Sequence, residues 1–422
     1  MTARQDWREV RLGELIESMK NGLYKPSNAY ADDGYACLRM YNIDDGKIVW
    51  RKIKRMRLSD AEFQDYRLDP GDLLVNRVNS RELVGKTAVI PSGLEPTVFE
   101  SKNIRVRLKR NIANSRFVCY ALLLKGQSHF DRNAQQVVGM ASISQKQIAD
   151  FRLLCPPLDE QHRIVAEIEE RLSRLEAGVA ALKRVQANLK RYRASVLSAA
   201  ILGDMGDPGG AEGWAQTEIQ ALAAKEPNAI TDGPFGSKLK TAHYTSSGPR
   251  VIRLQNIGDG FFVDEKAHIS EDHFASLSKH RVFPGDLVIA GLGEILPRVC
   301  MIPDGIGPAI VKADCIRFKA GGSVLPKFLM YALNADRTRR ATKERMHGVG
   351  RPRLNLGEIK SIVVPVPPLE RQRKIVAEVD RRLSVVEELE TQVIADLARA
   401  TRLRQATLES AFRQSGSTYS AS

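Results

Sequence analysis

Asn76, Arg77, Asn79, Arg81 and Lys86 lie together in one short polar stretch, NRVNSRELVGK, with a glycine among them. An Asn amide matches the adenine edge, Arg and Lys match guanine, and any of the five can hold phosphate. Five other stretches share this make-up. KNGLYKPSN offers Tyr24 and Lys25, and QQVVGMASISQK offers Gln135, Gln136 and Ser142. Later in the chain, DGPFGSKLKTAHY offers Ser237, Lys238, Lys240 and His243, and AGLGEILPR ends on Arg298. RMHGVGRPRLN adds Arg345, His347, Arg351 and Arg353. Glycine lets such a backbone approach a groove wall, and loops carried on a rigid sheet are where recognition resides. These residues are the candidate DNA contacts.

The net charge of +14 and pI near 9.6 favour a phosphate-rich partner. Catalytic constellations are missing from the sequence. No GxxxxGK[ST] loop occurs, and the glycine and lysine spacing of GPFGSKL is wrong for one. GLGEIL lacks the third glycine of a dinucleotide fingerprint, and no Asn-Pro-Pro-aromatic motif is present to grip a target base. His268, His273 and His280 recur without metal-ligand spacing, so neither a metal nor a cofactor is expected in this chain. The five cysteines are scattered with no CxxC pair, no apolar signal or membrane span is read, and a reducing cytoplasm is expected.

The loops sit on a duplicated framework. With Tyr30 placed over Tyr244, GYACLRMYNIDDG matches GPRVIRLQNIGDG and LDPGDLL matches VFPGDLV, all at an offset of 214. The offset slips to 212 at Ile90-Pro91 over Ile302-Pro303, then to 211 at Tyr120 over Tyr331, and stays there. Each copy is a globular part followed by a long helix. Alternating segments such as YACLRMYNI, DLLVNRV, KTAVI and NIRVRLK predict short strands, so the globular parts are mixed α/β, or α+β. RFVCYALLLKG predicts a helix closed by Gly126, and ISQKQIADFRLLCPP a helical turn feeding a strand, a plan that LNLGEIKSIVVPVPP repeats.

PPLDEQHRIVAEIEERL from Pro156 and PPLERQRKIVAEVDRRL from Pro367 open the two long helices. Apolar residues recur at three-four spacing through Val165, Ile168, Leu172, Leu175, Val179 and Leu182, reaching Leu189 and Val196 with polar Gln186 and Arg193 interposed. The second stripe runs Val376, Val379, Leu383, Val386, Glu390, Val393, Leu397 and Ala400. Such stripes predict a coiled-coil seam, and chain economy favours antiparallel pairing. Gly203 and Gly416 mark the stops. Two pseudo-symmetric modules separated by a long antiparallel two-helix coiled coil are expected. A competing arrangement packs each helix on its own module.

The duplicated PPLxEQ-type helix starts, the divergent modules between them, and motifs such as DGPFGSKL and GVGRPRLNL resemble the specificity subunits of type I restriction-modification systems. The resemblance implies a target-recognition domain at 1–155, a central conserved helix at 156–203, a second target-recognition domain at 204–366, a C-terminal conserved helix at 367–415 and a flexible tail at 416–422. It further implies that the modules read two halves of a split sequence in double-stranded DNA. The helices would dock two methyltransferase subunits through Glu160, Gln161, Arg371 and Gln372, and restriction-translocase subunits would join. This chain would be non-catalytic, with S-adenosylmethionine in the methyltransferase and ATP and magnesium in the restriction subunit. Arg371 stands where the motif has Glu. Two rival readings remain open on sequence: a coiled-coil protein-interaction scaffold without DNA specificity, and an enzyme with an unrecognised site.

Overall fold

The computed structural model describes residues 7–137, 139–205, 210–344, 346 and 352–413. The chain divides into two compact units, 1–182 with 396–422, and 183–395. Each unit thus holds one module together with part of both long helices.

In the first unit an antiparallel four-stranded sheet has the order Thr87–Val89, Leu73–Asn76, Asn103–Leu108, Ile16–Asn21. Side chains alternate across a strand, and here both faces are covered. Leu73 and Val75 join Ile104 and Val106 in one core, whereas Leu74 faces a second core with Leu38 and Phe99. A second sheet, in the order Thr97–Phe99, Tyr35–Leu38, Lys54–Met56, Tyr30–Ala31, contains the unit's parallel pair of strands.

The second unit repeats the plan. Its antiparallel sheet orders Arg298–Met301, Leu287–Ala290, Cys315–Phe318, Ile230–Asp232, and its parallel pair joins Tyr244–Ile252 to Ala309–Val311. Residues identical in the two copies perform the same structural work. Asn42 and Asn256 are buried brackets: each Oδ1 accepts the backbone N–H of Arg39 or Arg253, at 3.0 and 2.8 Å. Their amide groups donate to Val49 and Arg51 carbonyls in one unit and to Val263 and Glu265 in the other. Asp72 and Asp286 are buried and hold Arg107 and Arg317, at 3.0 and 2.6 Å.

The turn and strand expected from ISQKQIADFRLLCPP are Gln145–Ala149 and Arg152–Cys155, and the second copy has Leu356–Lys360 and Val363–Val366. One expected stop is absent. Gly126 does not end its helix, which runs Ser115–Asn133, because Gly126 is buried where an added Cβ would meet the Phe130 ring at 3.3 Å. It is a packing glycine inside the helix rather than a terminator.

The central helix spans Leu158–Leu202 and ends before Gly203, whose φ is +77°; the C-terminal helix spans Leu369–Arg413. Gly416 lies outside the described residues. Both packing modes foreseen from the stripes occur. The early turns pack on their own module: Ile164, Val165, Ile168 and Leu172 with Phe117 and Val118, and Ile375, Val379 and Leu383 with Phe328 and Leu329. The same turns also take part in pairing with the other helix. In the first unit Arg404 reaches Glu176 at 3.5 Å, while Leu408 and Ala411 share a core with Leu172 and Ile168. In the second, Arg193 lies 3.6 Å from Glu387 and 3.5 Å from Glu390, while Val196 to Ile201 share a core with Leu383 to Ile375. Rising numbers on one helix meet falling numbers on the other, so the pairing is antiparallel in each unit. Ile375 takes the buried place foreseen for Val376, which is only partly covered, and Gln186 is exposed.

Candidate nucleic-acid interface

In the first unit, strands Ile16–Asn21 and Leu73–Asn76 finish at the same end of the sheet at which Asn103–Leu108 and Thr87–Val89 begin. The loops after Asn21 and Asn76 therefore emerge side by side. A small sheet adds the third polar stretch, pairing Val78–Asn79 with Met140–Ser142 and that strand with Gln135–Val137. The Gln145 amide donates to Asn21 Oδ1 at 3.1 Å and ties this sheet to the first loop. Sequence-distant stretches are thus gathered into one surface.

The second unit does the same. Asp232, Ala290, Arg298 and Cys315 mark the equivalent end of its sheet. The loop after Ala290 is bridged to Leu354 and Arg353: Leu354 N–H donates to Gly291 O at 2.9 Å, and Leu292 pairs with Arg353. In each unit a loop glycine also approaches the backbone beneath it too closely for any Cβ. A Cβ on Gly22 would lie 2.0 Å from Glu100 O, and one on Gly233 would lie 2.0 Å from the Lys312 carbonyl carbon. That approach seats each glycine-bearing loop against the strand junction beneath it.

Within this surface the candidates fall into three groups. Several cations are held in exposed or half-buried ion pairs: Lys25 with Glu62, Arg81 with Asp131, Lys86 with Asp44 at 3.3 Å, and Arg353 with Asp314 at 2.6 Å. Lys25 and the Ser59 N–H hold the Glu62 carboxyl below the usual carboxylate range, and Asp131 raises Arg81 above the usual guanidinium value. Exposed pairs of this kind are worth about 0–1 kcal/mol, so a phosphate can take over the cation. A second group is exposed, comprising Tyr24, Gln135, Ser237, Lys238 and Lys240. Half-buried Ser142 pairs with Gln135 and Val78, and Gln136 lies in the same small sheet. His243 accepts the Lys240 N–H on Nδ1 at 3.1 Å, with its ring 4.3 Å from that of His273. Half-buried Arg77 anchors the Lys102 and Ile143 backbones through its own main chain, and Arg298 donates to Leu254 O at 3.1 Å. Arg345, His347 and Arg351 lie outside the described residues.

The third group is corrected by the structure. Asn76 is 0% exposed, donates to Lys102 O and Asn103 Oδ1, and accepts from Asn79, itself buried. The amide that matches an adenine edge equally satisfies loop backbone, and here it does the latter. Gln161 and Gln372 are likewise 0% exposed and present no face to a partner. Gln161 accepts the Asn114 N–H at 2.8 Å and donates to Ile112 and Pro156 carbonyls, both at 2.9 Å. Gln372 accepts the Leu325 N–H at 2.7 Å and donates to Ser323 and Pro367 carbonyls. Each Gln clamps a long helix to the loop before a module helix, Ser115–Asn133 in one unit and Pro326–Asn334 in the other. Glu160 remains near the surface and pairs with Arg163 at 2.6 Å; Arg371 is half-buried at the matching position.

Two exposed aromatics went unselected in the sequence. Phe235 lies beneath the Arg353 guanidinium at 5.9 Å, and Tyr41 beneath that of Arg39 at 5.6 Å. Aromatics interleaved with Arg are a stacking signal, and Phe235 sits within the DGPFGSKL motif.

The model of the type I restriction modification DNA specificity domain matches residues 4–191 and again 266–399. The chain belongs to the type I restriction-modification DNA specificity family. Among relatives of this specificity family, the EcoKI specificity subunit of Escherichia coli K12 is 25% identical over 435 aligned residues, spanning 97% of this chain and 89% of the relative. The EcoBI specificity subunit of Escherichia coli is 25% identical over 338, spanning 76% of this chain and 69% of the relative. A chain from a structural study of assembly and conformational transition of the type I system superposes with TM-score 0.73 at 19% identity, covering 99% of this chain and all of that one. The HsdS subunit from Thermoanaerobacter tengcongensis gives 0.52 at 19% identity, covering 98% of each. The fold of the specificity family is therefore the fold of this chain.

Proposed function

We propose that this chain is a sequence-specific, double-stranded DNA-binding subunit whose two modules read the two halves of a bipartite target. It directs methyltransferase and restriction subunits of a type I complex to that target. The observation that carries this reading is the convergence, in both units, of glycine-bearing basic loops at one end of an antiparallel sheet. Base discrimination falls to the exposed Gln, Lys, Arg and aromatic side chains of those loops, and the labile ion pairs supply phosphate contacts.

The chain contributes binding and orientation; base methylation belongs to two partner methyltransferase subunits carrying S-adenosylmethionine. Cleavage belongs to restriction subunits that use ATP and magnesium. Glu160 and Arg371, near the helix starts, are the remaining candidates for subunit docking. The assembly works in the cytoplasm, where its DNA is; no described helix is long and apolar enough to cross a membrane.

Footprinting of the full-length chain with its methyltransferase subunits on host DNA tests this. Two protected patches flanking an unread gap are expected, with affinity falling steeply as salt rises. Equal affinity for all duplexes would sink the specificity assignment, and no binding at low salt would favour a protein scaffold.

A further inference from the structure

Glu100 in the first unit and Lys312 in the second hold the same place in two copies of one fold. Glu100 N–H donates to Leu38 O at 3.0 Å and its carbonyl accepts from Asn103 at 3.0 Å. Lys312 N–H donates to Ile252 O at 2.8 Å and its carbonyl accepts from Cys315 at 3.0 Å. Gly22 packs on the first residue and Gly233 on the second. Backbone and neighbours agree, and the side chains have opposite charge.

In the first unit the Glu100 carboxylate collects donors. Met40 N–H reaches Oε1 at 3.3 Å and the Tyr30 hydroxyl reaches Oε2 at 3.5 Å. The second unit has Tyr244, Arg253 and Leu254 at the positions of Tyr30, Arg39 and Met40. Here the Tyr244 hydroxyl is buried and has no hydrogen-bond partner among the described residues. The Lys312 ammonium lies 5.6 Å from the Tyr244 ring centroid, and both line an open cavity of about 500 Å³ together with Arg253 and Gln255. Asp314, which also lines it, is held by Arg353 at 2.6 Å, and Glu265 lies 3.5 Å from Arg253. The place filled by the chain's own carboxylate in one copy therefore adjoins, in the other, a cavity lined by two cations.

We propose that this cavity holds one backbone phosphate of bound DNA, and that Glu100 fills the equivalent place of the first module with an internal anion. The proposal rests on the DNA-reading assignment above. A phosphodiester carries one negative charge and accepts several hydrogen bonds, which suits the ammonium and the guanidinium that line the cavity. The cavity borders the end of the Gly233 to Lys240 loop at Thr241, and Gly233 packs on Lys312, so a duplex read by that loop brings its backbone near. The two modules then grip DNA differently, the second with one phosphate contact that the first lacks.

The test uses the full-length chain with its methyltransferase subunits and a duplex carrying the mapped target. Lys312→Gln should lower the slope of log affinity against log salt by about 1, so that the affinity loss from about 50 to about 200 mM salt becomes about 3.5-fold smaller. Base preference should be unchanged. Single methylphosphonates, which neutralise one phosphate each, are scanned in parallel along the half-site read by the second module. One position should weaken the wild-type chain and leave Lys312→Gln unaffected. A wild-type slope retained by Lys312→Gln, or methylphosphonate losses that add to the substitution at every position, overturns the phosphate assignment while leaving DNA reading intact. Failure of the wild-type complex to bind the duplex would overturn both.

Discussion

At the scale of single residues, the polar side chains divide by what the backbone demands of them. Asn76 and Gln161 carry amide groups as suited to a base or a partner as any on the surface, yet loop carbonyls and N–H groups claim them. Sequence reveals the amide but not the competitor, because Lys102, Asn103, Ile112 and Asn114 come near only after folding. Lys238 and Lys240 were legible for the opposite reason, since both side chains stay exposed in the loop that bears them. Gln161→Ala and Gln372→Ala should each cost about 2–3 kcal/mol in urea unfolding, by leaving a buried N–H and two carbonyls unpaired. A loss below about 0.5 kcal/mol would contradict the clamp. The five cysteines are buried free thiols, and burial pushes Cys37, Cys119 and Cys300 up to about 12. Native protein at pH 8 should therefore resist alkylation, which proceeds through the thiolate, and unfolded protein should react at all five. Raised folded values also fix the sign of the pH effect. These thiols leave stability unaffected below about pH 9, the ordinary thiol value, and lower it as pH rises from there toward about 12.

At the scale of elements, the repeat and both long helices were visible in sequence because heptad spacing and Pro-Pro starts are local signals. The packing partners of each helix were not, since the same three-four stripe serves both a module core and the partner helix. Glycine was ambiguous for a related reason. Gly203 and Gly126 both follow apolar helical runs, and only contact with Phe130 makes one of them interior. Seam positions should differ sharply in cost. Leu383→Ala, in the main core of the second unit, should lose about 2–4 kcal/mol of stability in chemical denaturation. Arg193→Met, which replaces a solvent-touched pair with Glu387 and Glu390, should change stability by less than about 1 kcal/mol. Equal losses would show that the seam is not the apolar core described.

At the scale of the whole molecule, duplication supplies two copies of one framework, and divergence is concentrated where the sheet ends meet solvent. Framework identities such as Asn42 and Asn256, or Asp72 and Asp286, are buried brackets, so they persist while the loops around them change. Exchanging the 232–243 loop for that of a relative with a different target should alter one half of the recognised DNA sequence and leave the other half intact. The central claim, that this chain chooses a split DNA target for its methyltransferase, is tested most directly by mapping methylated bases across host DNA with and without it. A two-part motif with a gap of fixed length, methylated only when the chain is present, is the expected result. A single uninterrupted motif, or a methylation pattern unchanged when the chain is removed, would contradict it.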